Sequence, residues 1–351
     1  MIDCFALKQT ARIFVIAVAL LRLPEAFSST QNKVCMVLDR GGENDDSFNQ
    51  LSVEAFKKAK QELKIDPQSK YVEPKSDIQI PQFFRNFANQ SDCGLIIAVG
   101  FNNVEFLKNF APQYPNRKFL AIDASVSSEK NNVRSITFSE HEGSFLVGAA
   151  AAMISNTGKI GFIGGMDIPL IHRFFLGYAS GAKYINSKIE VLESYIGITP
   201  EAWANPAKAK ELALSQYKNG ADIIYHASAA SGSGIYDAAE QLNKDKKIKK
   251  YFAIGVDSNQ NGLKPGTILT SMVKRIDTAI YTSIKEFVEN KFTAGTIVFG
   301  LHNSGVDWAL DKHNQHLFTK DQINKINKIK SEIISGKIVV PDYYKQNANG
   351  K

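Results

Sequence analysis

The strongest constraint in this sequence is an alternation of two periods. Short, unbroken apolar runs recur, each closing in small or polar residues and each followed by a segment with helical spacing. Runs at 34–38, 70–72, 95–99 and 119–122 alternate with helical segments at 48–63, at 78–88 and ending at Phe110. A second series repeats the pattern, with strands at 159–163, 189–195, 223–225 and 251–256 and helices at 169–185, 202–219 and 235–242. Strands that are apolar throughout are those buried on both faces, as in parallel sheets covered by helices. Two such series with short loops predict an α/β chain of two doubly wound, Rossmann-like lobes. The length, 351 residues, is enough for two separate cores. The segment 133–138 is expected to make the first crossing between lobes. Beyond Asp257 the pattern loosens to a strand at 268–273 and a helix to about Val288, so several crossings through a multi-strand hinge are expected. The predicted division is 29–138 with about 275–312 in one lobe, and 139–274 with the C-terminal tail in the other.

Residues 1–28 read as an export signal. Lys8 and Arg12 precede the apolar run 13–21, and Ala26, Ser28 and Ser29 follow as a cleavage zone. The run is too short for a permanent membrane helix. No cysteine stands at a lipid-attachment position after it, so a protein free in the periplasm is expected. Cys35 and Cys93 each enter a predicted strand, and the two strands are neighbours in a sheet ordered 2-1-3. A disulfide between them and a pair of buried thiols are both compatible with this placement. The net charge of +7 is spread along the chain, with one dense run at 244–250, rather than gathered on a stripe with interleaved aromatics. A solvated lysine-rich surface accounts for this better than a nucleic-acid partner, and none is expected. The six histidines form no metal-ligand spacing with cysteine or carboxylate, and His313 and His316, three apart, lie in a polar tail. No metal or cofactor is expected.

The most informative stretch is Asp39-Arg40-Gly41-Gly42-Glu43-Asn44-Asp45-Asp46-Ser47-Phe48-Asn49. It leaves a strand, turns on two glycines and enters a helix, where Ser47 or Asp46 can cap. It resembles the signature of the basic membrane protein family, the nucleoside-binding proteins of ABC importers. Four further stretches match in order: Ala121-Ile122-Asp123; the glycine- and alanine-rich 138–152; Gly161 to Pro169 with Arg173-Phe174 and Gly177-Tyr178; and Ile254-Gly255-Val256-Asp257 with Thr270 to Arg275. The resemblance covers about 34–288. It implies a type I periplasmic binding fold, a nucleoside ligand with purines favoured, an importer in the membrane as partner, a monomer and no catalysis.

By that resemblance, Phe48 and Phe174 sandwich the base, Asp123 and Asp257 accept from the ribose hydroxyls, and Lys274 donates to the ribose or pairs with one aspartate. Asp45 or Asp46, with Asn49, reads base edges. Gly232 and Gly234 remain of a glycine-rich turn after 223–225, but Ala229 and Ala230 stand where glycines are expected, beside His226. That departure leaves base preference open.

Two enzymes share parts of this pattern. A calcium-dependent nucleoside hydrolase carries an aspartate-rich loop after its first strand, which Asp39 with Asp45-Asp46 resembles, but Gly41 replaces a needed aspartate. A nicotinamide dehydrogenase needs a third glycine after Gly232-Ser233-Gly234, where Asp237 stands. The same fold binding a sugar or a signalling ligand is not separated by sequence.

Overall fold

The computed structural model describes residues 32–90, 92–244 and 250–348, and the expected export signal lies outside the described residues. Each apolar run forms a strand because its side chains alternate between two helix layers. In β1 (Lys33–Val37), Cys35 and Val37 face one layer while Val34 and Met36 face the other. The first layer is α2 (Gln79–Asn89) and α3 (Phe101–Phe110); the second includes α1 (Phe48–Glu62). The sheet continues through β2 (Lys70–Val72), β3 (Cys93–Val99), β4 (Lys118–Ile122) and β5 (Val133–Phe138).

The chain then crosses into the second lobe. There α4 (Glu140–Ile154), α5 (Pro169–Ile185), α6 (Pro206–Lys218) and α7 (Gly232–Asn243) cover β6 (Lys159–Met166), β7 (Glu190–Gly197), β8 (Ile223–Ala227), β9 (Phe252–Asp257) and β10 (Ile268–Lys274). It returns as α8 (Ile276–Val288) and β11 (Gly295–Phe299), and crosses a third time to β12 (Val306–Trp308), α9 (Lys320–Ile334) and α10 (Tyr343–Ala348). The sheet orders are β11-β5-β4-β3-β1-β2 and β12-β10-β9-β8-β6-β7. Each is a 2-1-3-4-5 sheet with one strand added at the far edge, and β12 alone runs antiparallel to its neighbour β10. In such sheets the crevice at the carboxyl ends, where strand order reverses, is the natural ligand site.

Three details differ from the sequence reading. Residues 133–138 are a full strand of the first sheet, paired to β4 and β11, and the crossing follows at Ser139. The stretch from about 275 to 312 divides, with α8 and β11 going to the first sheet and β12 to the second. The helix expected at 202–219 is two elements, a 3₁₀ turn Pro200–Ala204 and α6, because Asn205 accepts the N–H of Lys208 as a cap and Pro206 fills the first helical position.

The pairing of β1 with β3 also decides the cysteine question. Cys35 and Cys93 are disulfide-bonded, with Cα atoms 6.4 Å apart and a separation of 58 in sequence. A bridge closing a loop of that length stabilises by about 4 kcal/mol in the chain-entropy picture. Thiol titration of the unreduced, denatured protein is therefore expected to find neither Cys35 nor Cys93 reactive. The Cys35→Ala, Cys93→Ala double variant is expected to unfold at lower urea, with about 2–4 kcal/mol less stability. Two reactive thiols would remove the bridge.

Candidate functional site

The loop after β1 is built by side chains that serve its own backbone. Asn49 Oδ1 accepts the N–H of Asp39 at 3.0 Å, while Nδ2 donates to the carbonyls of Asp39 at 3.2 Å and Gly42 at 3.1 Å. Asp45, rather than Ser47 or Asp46, caps α1, accepting from the N–H groups of Ser47, Asn49 and Gln50 at 2.9–3.0 Å. Burial pushes the Asp45 carboxyl up to about 6 against these bonds. Asp45 and Asn49 both line the cleft, yet most of their hydrogen-bonding capacity is spent on the loop.

The cap freed in this way is used across the cleft. Ser47 Oγ donates to Asp257 Oδ2 at 2.6 Å. Asp46 adopts a left-handed conformation, φ 52°, and its carbonyl accepts from Ser258 Oγ at 2.5 Å and Gln260 Nε2 at 2.9 Å. Arg40 joins Asp77 of its own lobe to Glu201 of the other, at 3.0 and 2.9 Å. These contacts hold the two lobes closed.

Asp123 and Asp257 occupy equivalent places, at the carboxyl ends of β4 and β9, and both take positive φ, 77° and 63°. Such backbone is costly for a residue with a Cβ and gathers at functional sites. Lys274, ending β10, is 1% exposed and lies 2.6 Å from Asp123 Oδ1 and 3.2 Å from Glu140 Oε1. Burial works against its charge, but Asp123, Glu140 and Asp257 around it raise its pKa overall. Burial raises the pKa of Asp123, with Lys274 opposing, and raises that of Asp257 as well. Glu140 is lowered: its burial is outweighed by Lys274 and Arg173. Arg173 donates to Glu140 at 2.5 Å, to the Phe138 carbonyl, and through Nε to Asp342 at 2.8 Å.

Phe48 and Phe174 both line the cleft, each with its ring centre 5.5 Å from the Lys274 ammonium. Met166, Ile168, Leu170 and Trp203 add apolar wall from the second lobe. Trp203 packs so closely on Gly165 that a Cβ there would come within 2.2 Å of the indole. Asp39 packs on Gly100, whose φ of 87° and 2.0 Å clearance exclude any side chain. About 670 Å³ of non-atom space, open solvent at the mouth included, lies between these residues.

The structure thus brings Asp45, Phe48, Asn49, Asp123, Phe174, Asp257 and Lys274 to one cavity. Asp46 joins the closing contact through its carbonyl. Gly232 stands apart from the lining, opening α7 where a Cβ would sit 2.0 Å from the buried His226 ring. Ala227, Ser228 and Ala229 line the cavity in its place. Arg40, Trp203 and Ser228 also line the cavity and were not singled out by the sequence reading, while Asp39, which lines it too, was singled out only for its likeness to a calcium loop.

Comparison with known proteins agrees with this geometry. The profile of the family described as "Bmp: ABC transporter substrate-binding protein PnrA-like" matches residues 32–343. The chain belongs to that family. It is 33% identical over 325 residues to the ABC transporter nucleoside-binding protein BmpA of Lactococcus lactis subsp. cremoris, covering 89% of this chain and 90% of that one. It is 32% identical over 315 residues to basic membrane protein A1 of Borrelia garinii subsp. bavariensis, covering 88% of each. A solved ABC transporter solute-binding protein of Aeropyrum pernix K1 superposes with TM-score 0.80 at 29% identity, covering 88% of this chain and 93% of that one. The PnrA-like fold is therefore the type I arrangement of two parallel-sheet lobes, and the chain is a substrate-binding protein of an ABC transport system. Its partners are a ligand and a membrane transporter.

The charge held in the cleft has a measurable consequence. Burial pushes Asp39 up from 3.8 to about 7; the Arg40 N–H opposes this and the Asp45 and Asp77 charges add to it. An acid whose folded pKa is raised stabilises fully below its unfolded pKa and loses that contribution as pH rises through the folded value. Wild-type stability relative to Asp39→Asn is expected to fall between about pH 4 and pH 7 and to stay level above. Parallel melting curves of the two proteins across that range check this, and a constant offset would contradict it.

Proposed function

We propose that the chain captures a nucleoside, purines favoured, in the closed cleft and delivers it to its ABC importer as an exported monomer without chemistry of its own. The observation that carries this reading is the pair Asp123 and Asp257, presented from equivalent strand ends on opposite lobes beside Lys274 and flanked by the rings of Phe48 and Phe174. A vicinal diol is bound well by carboxylate oxygens, since hydrogen bonds to charged acceptors are about twice as strong as neutral ones. One oxygen of Asp257 is met by Ser47 and one of Asp123 by Lys274, which leaves Oδ1 and Oδ2 respectively for hydroxyls. A flat base suits the aromatic and apolar lining, and stacking on an aromatic ring contributes about 1–3 kcal/mol per base. The relative from Lactococcus lactis is named for nucleoside binding, which supports the same ligand class.

The aspartates of the first loop do not favour hydrolysis. Asp45 is occupied by three main-chain N–H groups of α1, so it is not arranged as a calcium ligand. Hinge closure suits capture and delivery, since a ligand bound between the lobes makes contacts that an open form would lack.

The test is a thermal-shift series with purine and pyrimidine nucleosides, free ribose and hexoses. A ligand at about a hundred times its Kd adds about 2.7 kcal/mol of stability. Nucleosides are expected to raise the melting point and free sugars to leave it unchanged; the reverse ranking would overturn the ligand class. Phe48→Ala and Asp257→Ala are each expected to weaken nucleoside binding at least about tenfold in calorimetry.

A further inference from the structure

Behind the cavity wall runs a chain of hydrogen bonds whose direction is forced from its far end. Gln260 Oε1 accepts the main-chain N–H of Val256 at 2.9 Å, and Gln260 Nε2 donates to the main-chain carbonyl of Asp46, on the other lobe, at 2.9 Å. A peptide N–H only donates and a peptide carbonyl only accepts, so these two contacts admit one orientation of the amide. The Tyr236 hydroxyl also meets Gln260 Oε1, and must donate its single proton there. Toward His226 it has only lone pairs left, so His226 Nε2, 2.6 Å away, carries the ring proton. His226 is fully buried, and burial pushes its pKa down to about 3, so the ring is neutral and Nδ1 is bare. Ser228 Oγ lies 3.1 Å from Nδ1 and donates to it.

Ser228 lines the cavity at the end of β8 and is 1% exposed. With its proton committed inward, Ser228 Oγ has lone pairs alone to offer a group that approaches from the cavity. We propose that Ser228 is a specificity-determining acceptor: the cleft selects a ligand that presents an N–H or O–H to Ser228 Oγ and rejects one that presents a lone pair there. This rests on the reading of the cleft as a nucleoside site, since nucleosides of similar shape differ in which edge atoms donate and which accept. The closing bond from Gln260 to Asp46 makes the selection strongest in the closed form, where the amide is held from both sides.

The discrimination is of the kind built from an unpaired buried polar atom, which costs more than a hydrogen bond gains. Calorimetry with wild type, Ser228→Ala and Tyr236→Phe tests it, using adenosine, inosine, guanosine, purine riboside and the deoxyribose analogues. In wild type, one analogue that lacks a single donor is expected to bind about tenfold more weakly than its parent. In Ser228→Ala that same difference is expected to vanish. Tyr236→Phe removes the hydroxyl that fixes the imidazole proton on Nε2, so Ser228 regains the freedom to donate outward. The preference for the donor-bearing ligand is then expected to shrink to about threefold or less, although Ser228 is still present.

A second measurement does not depend on ligand. Nitrogen NMR of the unliganded protein is expected to show His226 protonated on Nε2 and bare on Nδ1. A proton on Nδ1 overturns the proposal, as does Ser228→Ala leaving every difference between analogues intact. If wild type binds no nucleoside in this panel, the nucleoside reading itself fails, and the NMR result alone decides whether the chain has the stated direction.

Discussion

The structure depends on how one buried ammonium is neutralised. Lys274 sits where the chain leaves the second lobe, and Glu140 sits where it enters. Glu140, 1% exposed, meets both Lys274 and Arg173; Lys274 meets Asp123, and Arg173 meets Asp342 of the C-terminal segment. Taking a charge out of water costs several kcal/mol per ion after relaxation, and removing one partner of such a pair costs about 3–5 kcal/mol. The row Asp123–Lys274–Glu140–Arg173–Asp342 therefore ties two crossings, the first lobe and the chain end to one another. It does so within reach of the ligand, because Asp123 and Lys274 belong to the row and to the cavity lining alike.

The sheet topology places the facing aspartates of the cleft at strand ends. Two copies of a 2-1-3-4-5 sheet present their carboxyl edges to one crevice, so Asp123 and Asp257 face each other's lobes. Both hold left-handed backbone, as do Asp46 and Ala229 beside them. Main-chain and side-chain polar groups not needed for the ligand are used to hold the lobes together: Ser47 on Asp257, Ser258 and Gln260 on the Asp46 carbonyl. On the proposed reading, closure and recognition share residues, and a ligand that occupies the free carboxylate oxygens acts on both.

Much of this was legible before the structure. The strands could be read because runs such as Val34–Met36 and Leu95–Val99 are buried on both faces and leave no polar alternation to confuse them. Asp123, Asp257 and Lys274 follow or end such runs and Phe48 opens the helix after the first loop, and the family resemblance of those stretches is what singled them out. What was hidden depends on contacts that span distant sequence. Nothing near Asp45 says that it, rather than Ser47, caps α1; the choice follows from Ser47 being drawn to Asp257, 210 residues away. Trp203 was absorbed into a helix that in fact begins after it, although Asn205-Pro206 is a start signal that could have separated them. Gly232 was placed at the ligand because the glycine pattern suggests close approach. The close approach is real, but its partner is the ring of His226.

The most direct measurement of the central claim is a crystal structure of the protein grown with a purine nucleoside. Binding in the closed cleft requires ribose hydroxyl oxygens at about 2.5–3.0 Å from the carboxylates of Asp123 and Asp257, with the base against the ring of Phe48 or Phe174. A nucleoside lodged outside the cleft, or those four side chains turned away from it, would contradict the assignment.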